Sequence, residues 1–328
     1  MPSNVRAQVF RNGQPEEVAP KAIAALIADP DIFVWCDVVD PVPADLAPLQ
    51  QALSLHPLSV EDALHAHQRP KIETYGQGEA AYWFLVVHPA TLTTDDLVLH
   101  EVAVFVGQRF VLTVRSGAAY PVAEIERRWL LRADGDRNCG FLLYTLLDAV
   151  VDGYFPVAEA FEERIDAIEA QLFDTRAGRN DLLLAIFRMK KDSQRFRRAA
   201  WPMRDILAPS VRGELPRFSD GQRTYFRDVY DHAVRIVDQV DATRDMANSA
   251  LDVQLAVTAN RQNEVAKQLT VIATIFLPLS FITGFFGQNF GVILNHIKGA
   301  ASFWIFGVAT ELAVVVALIL VFRWRRWF

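Results

Sequence analysis

Residues Leu269–Gly287 read LTVIATIFLPLSFITGFFG, a run without a charged side chain that leads straight into Gln288-Asn289-Phe290. About 18 or more apolar residues, rising about 1.5 Å each, cross a bilayer core of roughly 30 Å. The run therefore reads as a transmembrane helix over about residues 267–287. A second apolar run, about residues 300–322, follows a loop at residues 288–299. A connection this short makes the two spans an antiparallel hairpin. Arg323, Arg325 and Arg326 stand directly after the second span, with Arg261 and Lys267 at the entrance to the first. By the positive-inside rule both flanks are expected in the cytoplasm, and the loop alone is expected outside.

The 328 residues suit one or two soluble domains plus this hairpin, and the mean hydropathy of +0.14 is raised chiefly by the C-terminal end. A net charge of −6 argues against a nucleic-acid partner. The only cysteines, Cys36 and Cys139, have neither CxxC nor Cys/His spacing, so buried thiols in a reducing cytoplasm are expected. The start of the sequence, MPSNVRAQVF, has no apolar core of the signal-peptide kind.

Short β-rich runs occur at Val5–Phe10, Ile32–Asp37, Ala80–Val87, Val98–Val106 and Arg109–Arg115, the last two resembling a hairpin around Gly107. Helical patterns intervene at Pro20–Ala28, Ala44–Ala52 and Pro57–His67, which makes the first part an α/β domain with a mixed sheet. From Phe141 to Leu207 long helical patterning takes over. Acids crowd Asp152–Asp174 and bases crowd Arg188–Arg204, which suggests two antiparallel helices joined by a turn at Thr175–Asn180. An acidic surface that concentrates cations is the functional alternative.

After a breaker-rich turn at Pro209–Gly221, no Pro or Gly occurs from Gln222 to Leu277, enough for about 84 Å of helix. Phe226, Val229, Ala233, Ile236, Val240, Thr243, Ala247 and Ala250 repeat with the 3,4 spacing of a packed seam. This stalk runs on into the first span, so it either transmits movement to the membrane or serves as a spacer. Asp231, Asp238, Asp245 and Asp252 recur every seven residues along one flank, with i,i+4 partners such as Arg235 for Asp231.

Two spans cannot enclose a pathway, so transport requires several copies. The first span is the better lining: Asn263, Thr270, Ser280, Gly284 and Asn289 sit near helical spacing, with Thr274 and Thr283 elsewhere on the helix. Amide and carbonyl oxygens are hard ligands suited to hydrated Mg²⁺, and the span holds no Cys or His for a soft metal. Pro278 is expected to bend it. Glu311, inside the otherwise apolar second span, is a functional candidate by default, or a protonated carboxyl bonded to a neighbouring helix. His56, Glu61, Asp62, His65 and His67 have the look of a metal cluster, but Pro57 after His56 also marks an ordinary helix start.

HPLSVEDALHAHQRPKIETY (His56–Tyr75), YFRDVYDH (Tyr225–His232), NEVAKQLTVIATIFLPLSFITGFFGQNFG (Asn263–Gly291) and RWRRWF (Arg323–Phe328) together resemble the CorA family of magnesium and cobalt transport proteins, in the right order over nearly the whole chain. The resemblance implies an α+β membrane protein with a cytoplasmic α/β/α domain (1–140), a helical stalk and funnel region (141–262) and a transmembrane hairpin with a basic cytoplasmic tail (263–328). It also implies a homopentamer in lipid whose pore is lined by the first span. Asn289, with Gly287, matches the family's Gly-Met-Asn signature, which binds hydrated cation at the outer mouth. Asn263, Leu269, Leu277, Ser280 and Gly284 match pore-lining or constricting positions. Asp228 matches an inter-subunit Mg²⁺-sensing aspartate, with Asp95 or Asp96 as its acidic partner, and Arg323, Arg325 and Arg326 match a basic ring at the inner mouth.

Two departures stand out. Gln288 replaces the signature Met, and zinc-transporting relatives also vary there. The outer loop GVILNHIKGA carries Lys298 and no acid. The expected activity is a Mg²⁺-gated channel for Mg²⁺ and Co²⁺ in a bacterial inner membrane, with Mg²⁺ as substrate and regulator and no cofactor. A Zn²⁺ transporter, proton-coupled through Glu311, is the alternative within transport. A membrane-anchored sensor without conduction is the alternative of another class. The sequence has no nucleophile–base pair and no phosphate-binding Gly loop, so an enzyme is not expected.

Overall fold

The computed structural model describes residues 4–11, 14–65, 67–93, 96–117, 120–132, 138–172, 179–213, 220–288, 291, 293 and 299–325. The chain forms two compact units, Met1–Leu251 and Asp252–Phe328.

The first unit contains β1 (Val5–Arg11), β2 (Gln14–Val18), α1 (Ile23–Leu26), β3 (Ile32–Val39), α2 (Pro43–Ala52), α3 (Pro57–Leu64), β4 (Lys71–Tyr75) and β5 (Tyr82–Val87). It continues with β6 (Ala90–Leu92), β7 (Leu97–Leu99), β8 (Val102–Val106), β9 (Phe110–Arg115), α4 (Val122–Leu130), α5 (Cys139–Asp152), α6 (Tyr154–Leu172), α7 (Arg179–Ala200) and α8 (Met203–Arg212). The first part of α9 (Asp220–Phe286) completes it.

Seven strands form a mixed sheet in the order β2-β1-β3-β9-β8-β5-β4, in which β3 and β9 run parallel and all other neighbours antiparallel. Because side chains alternate along a strand, β3 serves both faces. Ile32, Val34, Cys36 and Val38 pack with Ile23, Leu46, Leu49 and Val60 of the α1–α3 layer. Phe33 and Trp35 pack on the other side with Trp129, Leu142, Leu146 and the later helices. The result is the α/β/α layering, with both faces of the central strands covered, which is why IFVWCDVV is apolar almost throughout.

Cys36 is fully buried as a free thiol, and burial, with the neighbouring Asp37 carboxylate, pushes its pKa up to about 12. Cys139 is also a buried thiol, its Sγ donating to Gln108 O (3.3 Å).

Several element boundaries differ from the sequence reading. The run expected as one strand at Val98–Val106 is two strands, because the chain is turned at His100 and Glu101. His100 N donates to Pro89 O (2.9 Å), holding β7 to β6 in a separate two-stranded sheet. The Glu101 carboxylate meanwhile accepts from the backbone N–H groups of His67 (2.8 Å) and Gln68 (3.2 Å). Strands β2, β4 and β6 are additional to those expected. β4 is a sheet edge whose Lys71 bonds Asp62 (2.7 Å) and Glu73 (2.9 Å), charges that guard an open edge. The helix expected at Pro20–Ala28 is a 3₁₀ turn, Pro20–Ala22, followed by the single turn of α1.

The acidic and basic runs do form neighbouring helices, α6 and α7, but their seam is apolar. Phe196 meets Tyr154 (5.3 Å) and Phe161 (5.7 Å) between ring centroids, while Glu159, Glu162, Glu163 and Asp166 remain exposed. Most of the turn expected between them lies outside the described residues. The breaker-rich turn expected from Pro209 starts later: α8 passes Pro209 and ends at Arg212, where Gly213 takes the left-handed conformation (φ +71°) that closes many helices. All eight residues of the stalk seam, Phe226 through Ala250, are buried.

Among the described residues the second unit contains the remainder of α9 and α10 (Ala300–Trp324), which contains a π-helical segment at Phe303–Ala309. Among the described residues, three helical stretches are long and apolar enough to cross a membrane. One of them, Cys139–Leu172, is largely buried within the first unit and belongs to its core, whereas the other two expose nearly all of their apolar windows.

Candidate ion pathway and cation-sensing position

Helix α9 continues through Pro278 to Phe286 without interruption. From Leu269 onward its less exposed positions are Val271, Ile275, Pro278, Leu279, Ile282 and Phe286, spaced by three and four. The matching positions on α10 are Gly307, Glu311, Val314, Val315, Leu318 and Phe322. These two stripes have the spacing of one helix–helix seam.

At about 100° per residue, Leu269, Leu277, Ser280 and Gly284 fall on roughly the opposite side of α9 from its seam, Asn263 lies toward the flank, and Gln288 follows the helix end. All six are exposed, Leu269 by 63% and Leu277 by 73%. A Cβ on Gly284 would meet nothing within 4 Å, so nothing in a single chain requires glycine there. A Cβ on Gly287 would lie 3.1 Å from Thr283 O, and Gly287 N donates to that same oxygen (2.9 Å) as the helix ends. Asn289 and Arg326 lie outside the described residues. Arg323 and Arg325 are exposed at the C-terminal end of α10, where cations complement the helix dipole.

The threonines of α9 turn their hydroxyls inward to the helix: Thr270 donates to Ala266 O (2.8 Å) and Thr274 to Thr270 O (2.7 Å). Thr283 is placed differently. Its Oγ1 lies 2.8 Å from Leu279 O and also 2.7 Å from Glu311 Oε1 on α10. Sequence reasoning singled out Glu311 and set Thr283 apart from the lining face, but it did not bring the two together. The only local hint was a hydroxyl in an apolar helix on the wrong face for the pathway.

Asp228 stands near the start of α9 with its side chain 66% exposed, and its ion-pair neighbour among the described residues is His232 (4.0 Å). Three residues earlier, Tyr225 joins Phe141 and Tyr144 around Arg132, whose guanidinium carbon lies 4.3 to 5.1 Å from the three ring centroids. This aromatic clasp, unforeseen from the sequence, ties α5 to α9 beside Asp228. Burial raises the Tyr144 pKa, helped by the carboxylates of Asp148 and Asp228. Asp148 is itself raised, by burial first and then by Asp152, against the opposing pull of the Arg128 guanidinium bonded to it. Of the two partners considered for Asp228, Asp95 lies outside the described residues. Asp96 has Asp192 as an acidic neighbour within the chain, adding to the burial that raises Asp192.

The histidine group at the start of α3 serves the backbone. His56 is the N-cap, its Nδ1 accepting from Leu58 N (3.2 Å), and its own N–H donates to the Tyr82 hydroxyl (2.8 Å). His65 Nδ1 bonds Glu61 O (2.8 Å). Among the described residues no three His, Cys, Asp or Glu side chains gather closely enough to hold a metal ion.

Residues 30–326 match the family described as CorA-like Mg2+ transporter protein. The cobalt/magnesium transport protein CorA of Thermotoga maritima is 35% identical over 287 residues, covering 83% of this chain and 77% of its own. YfjQ of Bacillus subtilis is 30% identical over 306 residues and 92% of each chain. The solved structure of the CorA magnesium transporter from Methanocaldococcus jannaschii superposes with a TM-score of 0.79 at 20% identity, over 99% of this chain and 98% of the other. With this architecture, two exposed apolar helices and a family match over nearly its full length, the chain belongs to the CorA family of divalent-cation membrane transporters, which are not enzymes.

Proposed function

We propose that the chain assembles as a homopentamer in a bacterial inner membrane, with both termini cytoplasmic, and conducts Mg²⁺, and Co²⁺ as well, through a pore lined by the first span. The observation that carries this reading is the two-sidedness of α9. One face seats α10, and the other, bearing Leu277, Ser280 and Gly284 with Asn263 toward its flank, is left exposed in the single chain. Copies arranged around an axis with that face inward would alternate small or amide-bearing rings with the apolar ring of Leu277. Gly284, with open space at its Cβ position, then permits close approach of neighbouring copies. The ring of Gln288 and Asn289 would form the outer mouth, and Arg323, Arg325 and Arg326 the basic ring within.

Flux of Mg²⁺, Co²⁺, Ni²⁺ and Zn²⁺ into liposomes holding the purified protein, with and without a pH gradient, tests this reading. Mg²⁺ flux independent of the gradient is expected. Zn²⁺ flux that requires the gradient would establish the proton-coupled reading instead, and binding without flux would establish a sensor.

Cytoplasmic Mg²⁺ is proposed to close the pore at Asp228. Its exposed carboxylate, brought near an acid of the next copy, repels it unless a divalent cation lies between them. Asp228→Ala is expected to weaken inhibition by millimolar internal Mg²⁺ while leaving the open-state flux unchanged. Superimposable inhibition curves for mutant and wild type would remove Asp228 from the sensing role.

A further inference from the structure

The pairing of Thr283 with Glu311 contains a proton count. The Thr283 hydroxyl carries one hydrogen but has two oxygen neighbours at bonding distance, Leu279 O at 2.8 Å and Glu311 Oε1 at 2.7 Å. Both contacts are full hydrogen bonds at once only if the second proton comes from Glu311. We infer that Glu311 is held as a neutral carboxylic acid that donates to Thr283 Oγ1, which in turn donates to the Leu279 carbonyl, and that this chain of bonds clamps the second span to the last turn of the first.

Three observations support the assignment. Glu311 lies in the seam stripe of α10, half-buried among Gly307, Val314 and Val315, so it faces the first span and not the proposed pore. An ionised carboxylate inside such a span is costly, and no cation stands within the apolar stretch from Leu269 to Phe286 or from Ala300 to Phe322 to offset it. The π-helical segment Phe303–Ala309 ends two positions before Glu311. Each π turn holds an extra residue relative to an α turn and so resets the face on which the following side chain emerges.

The clamp has a positional consequence. The Thr283 carbonyl accepts from Gly287 N, and Thr283 precedes Gly284, so the fixed residue belongs to the turn that leads into Gln288. Glu311 thus acts through Thr283 as a positioning residue for the outer mouth. This functional part rests on the proposed pore; the protonation state does not.

The test combines infrared spectroscopy with flux in the same liposomes. With ¹³C-labelled glutamate at neutral pH, the wild type is expected to show a protonated-carboxyl C=O band that is absent from Glu311→Gln and moves to higher frequency in Thr283→Val, where its acceptor is gone. Glu311→Gln, whose amide still donates to Thr283, should keep its flux within about twofold. Glu311→Leu and Thr283→Val should each lower it by about three- to tenfold, and the double variant by no more than either alone. A missing band in the wild type, or a band unmoved by Thr283→Val, overturns the neutral-acid assignment whatever the flux. Additive losses overturn the clamp. Absence of cation flux from the wild type would defeat the pore reading, while the band still decides the protonation state.

Discussion

Alanine at Asn289 is expected to reduce cation flux about a hundredfold while leaving the oligomer intact. Five copies would present a ring of amide oxygens to the water shell of an arriving ion, replacing outer-shell hydrogen bonds without forcing dehydration, which suits Mg²⁺. At about 0.5 kcal/mol per bond, the low end for one hydrogen bond, five amides come to about 2.5 kcal/mol, or nearly two orders of magnitude in rate. Alanine keeps the backbone and removes every acceptor. Gly287 ends the helix directly before the proposed mouth, its Cβ position 3.1 Å from Thr283 O, so a site there would depend on backbone shape as well as on the amide. Cross-linking should find a normal oligomer for the mutant, with flux read from the same vesicles. Wild-type flux from this variant would assign the mouth to other residues, and Gln288 would be the first to substitute.

The second large effect concerns stability. Asp37 and Arg115 form an ion pair between the parallel strands β3 and β9, with Arg115 Nη2 donating to Asp37 Oδ2 at 2.9 Å and side-chain exposures of only 11% for Arg115 and 9% for Asp37. Thr113 Oγ1 also donates to Asp37 Oδ1 (2.7 Å), so this carboxylate is satisfied from two sides. Asp37→Ala leaves the guanidinium buried without its charge partner and is expected to cost about 3–5 kcal/mol. Replacing both partners with apolar residues, as in Asp37→Leu with Arg115→Met, should recover most of that loss, because the desolvation penalty disappears with the pair. Denaturant unfolding in detergent, followed by tryptophan fluorescence, measures both. If Asp37→Ala unfolds at the wild-type midpoint, the pair is not holding the two strands together.

The legible parts of the molecule were those whose cause is local or periodic. The stalk seam from Phe226 to Ala250 was read residue for residue, because burial on a long helix repeats every three or four positions and nothing else competes with that pattern. The hairpin of β8 and β9 followed from alternation around a Gly-containing turn. His56 could be read as a helix start because Pro57 has no N–H to lose at the first helical position. Edge strands were harder. QPEEV of β2 is almost wholly exposed, so its hydrogen bonds to β1, and not its side chains, make it a strand. The lone Pro209 looked like a terminator because it disfavours helix locally, yet α8 buries Met203, Ile206, Leu207 and Ser210 around it.

From the sequence alone follow the two spans and their helical hairpin, the continuous helix that enters the membrane, the mixed sheet and the family. All of these rest on hydropathy, on periodicity along a few turns, or on motifs contiguous in the chain. Only the tertiary structure decided that β3 lies parallel to β9 and joins Asp37 to Arg115, and that Arg132 enters a clasp of Phe141, Tyr144 and Tyr225. It also decided that Glu311 meets Thr283. Each of these joins residues distant in sequence through the register of packed elements, and a one-residue slip or a single π turn would send the same side chains elsewhere.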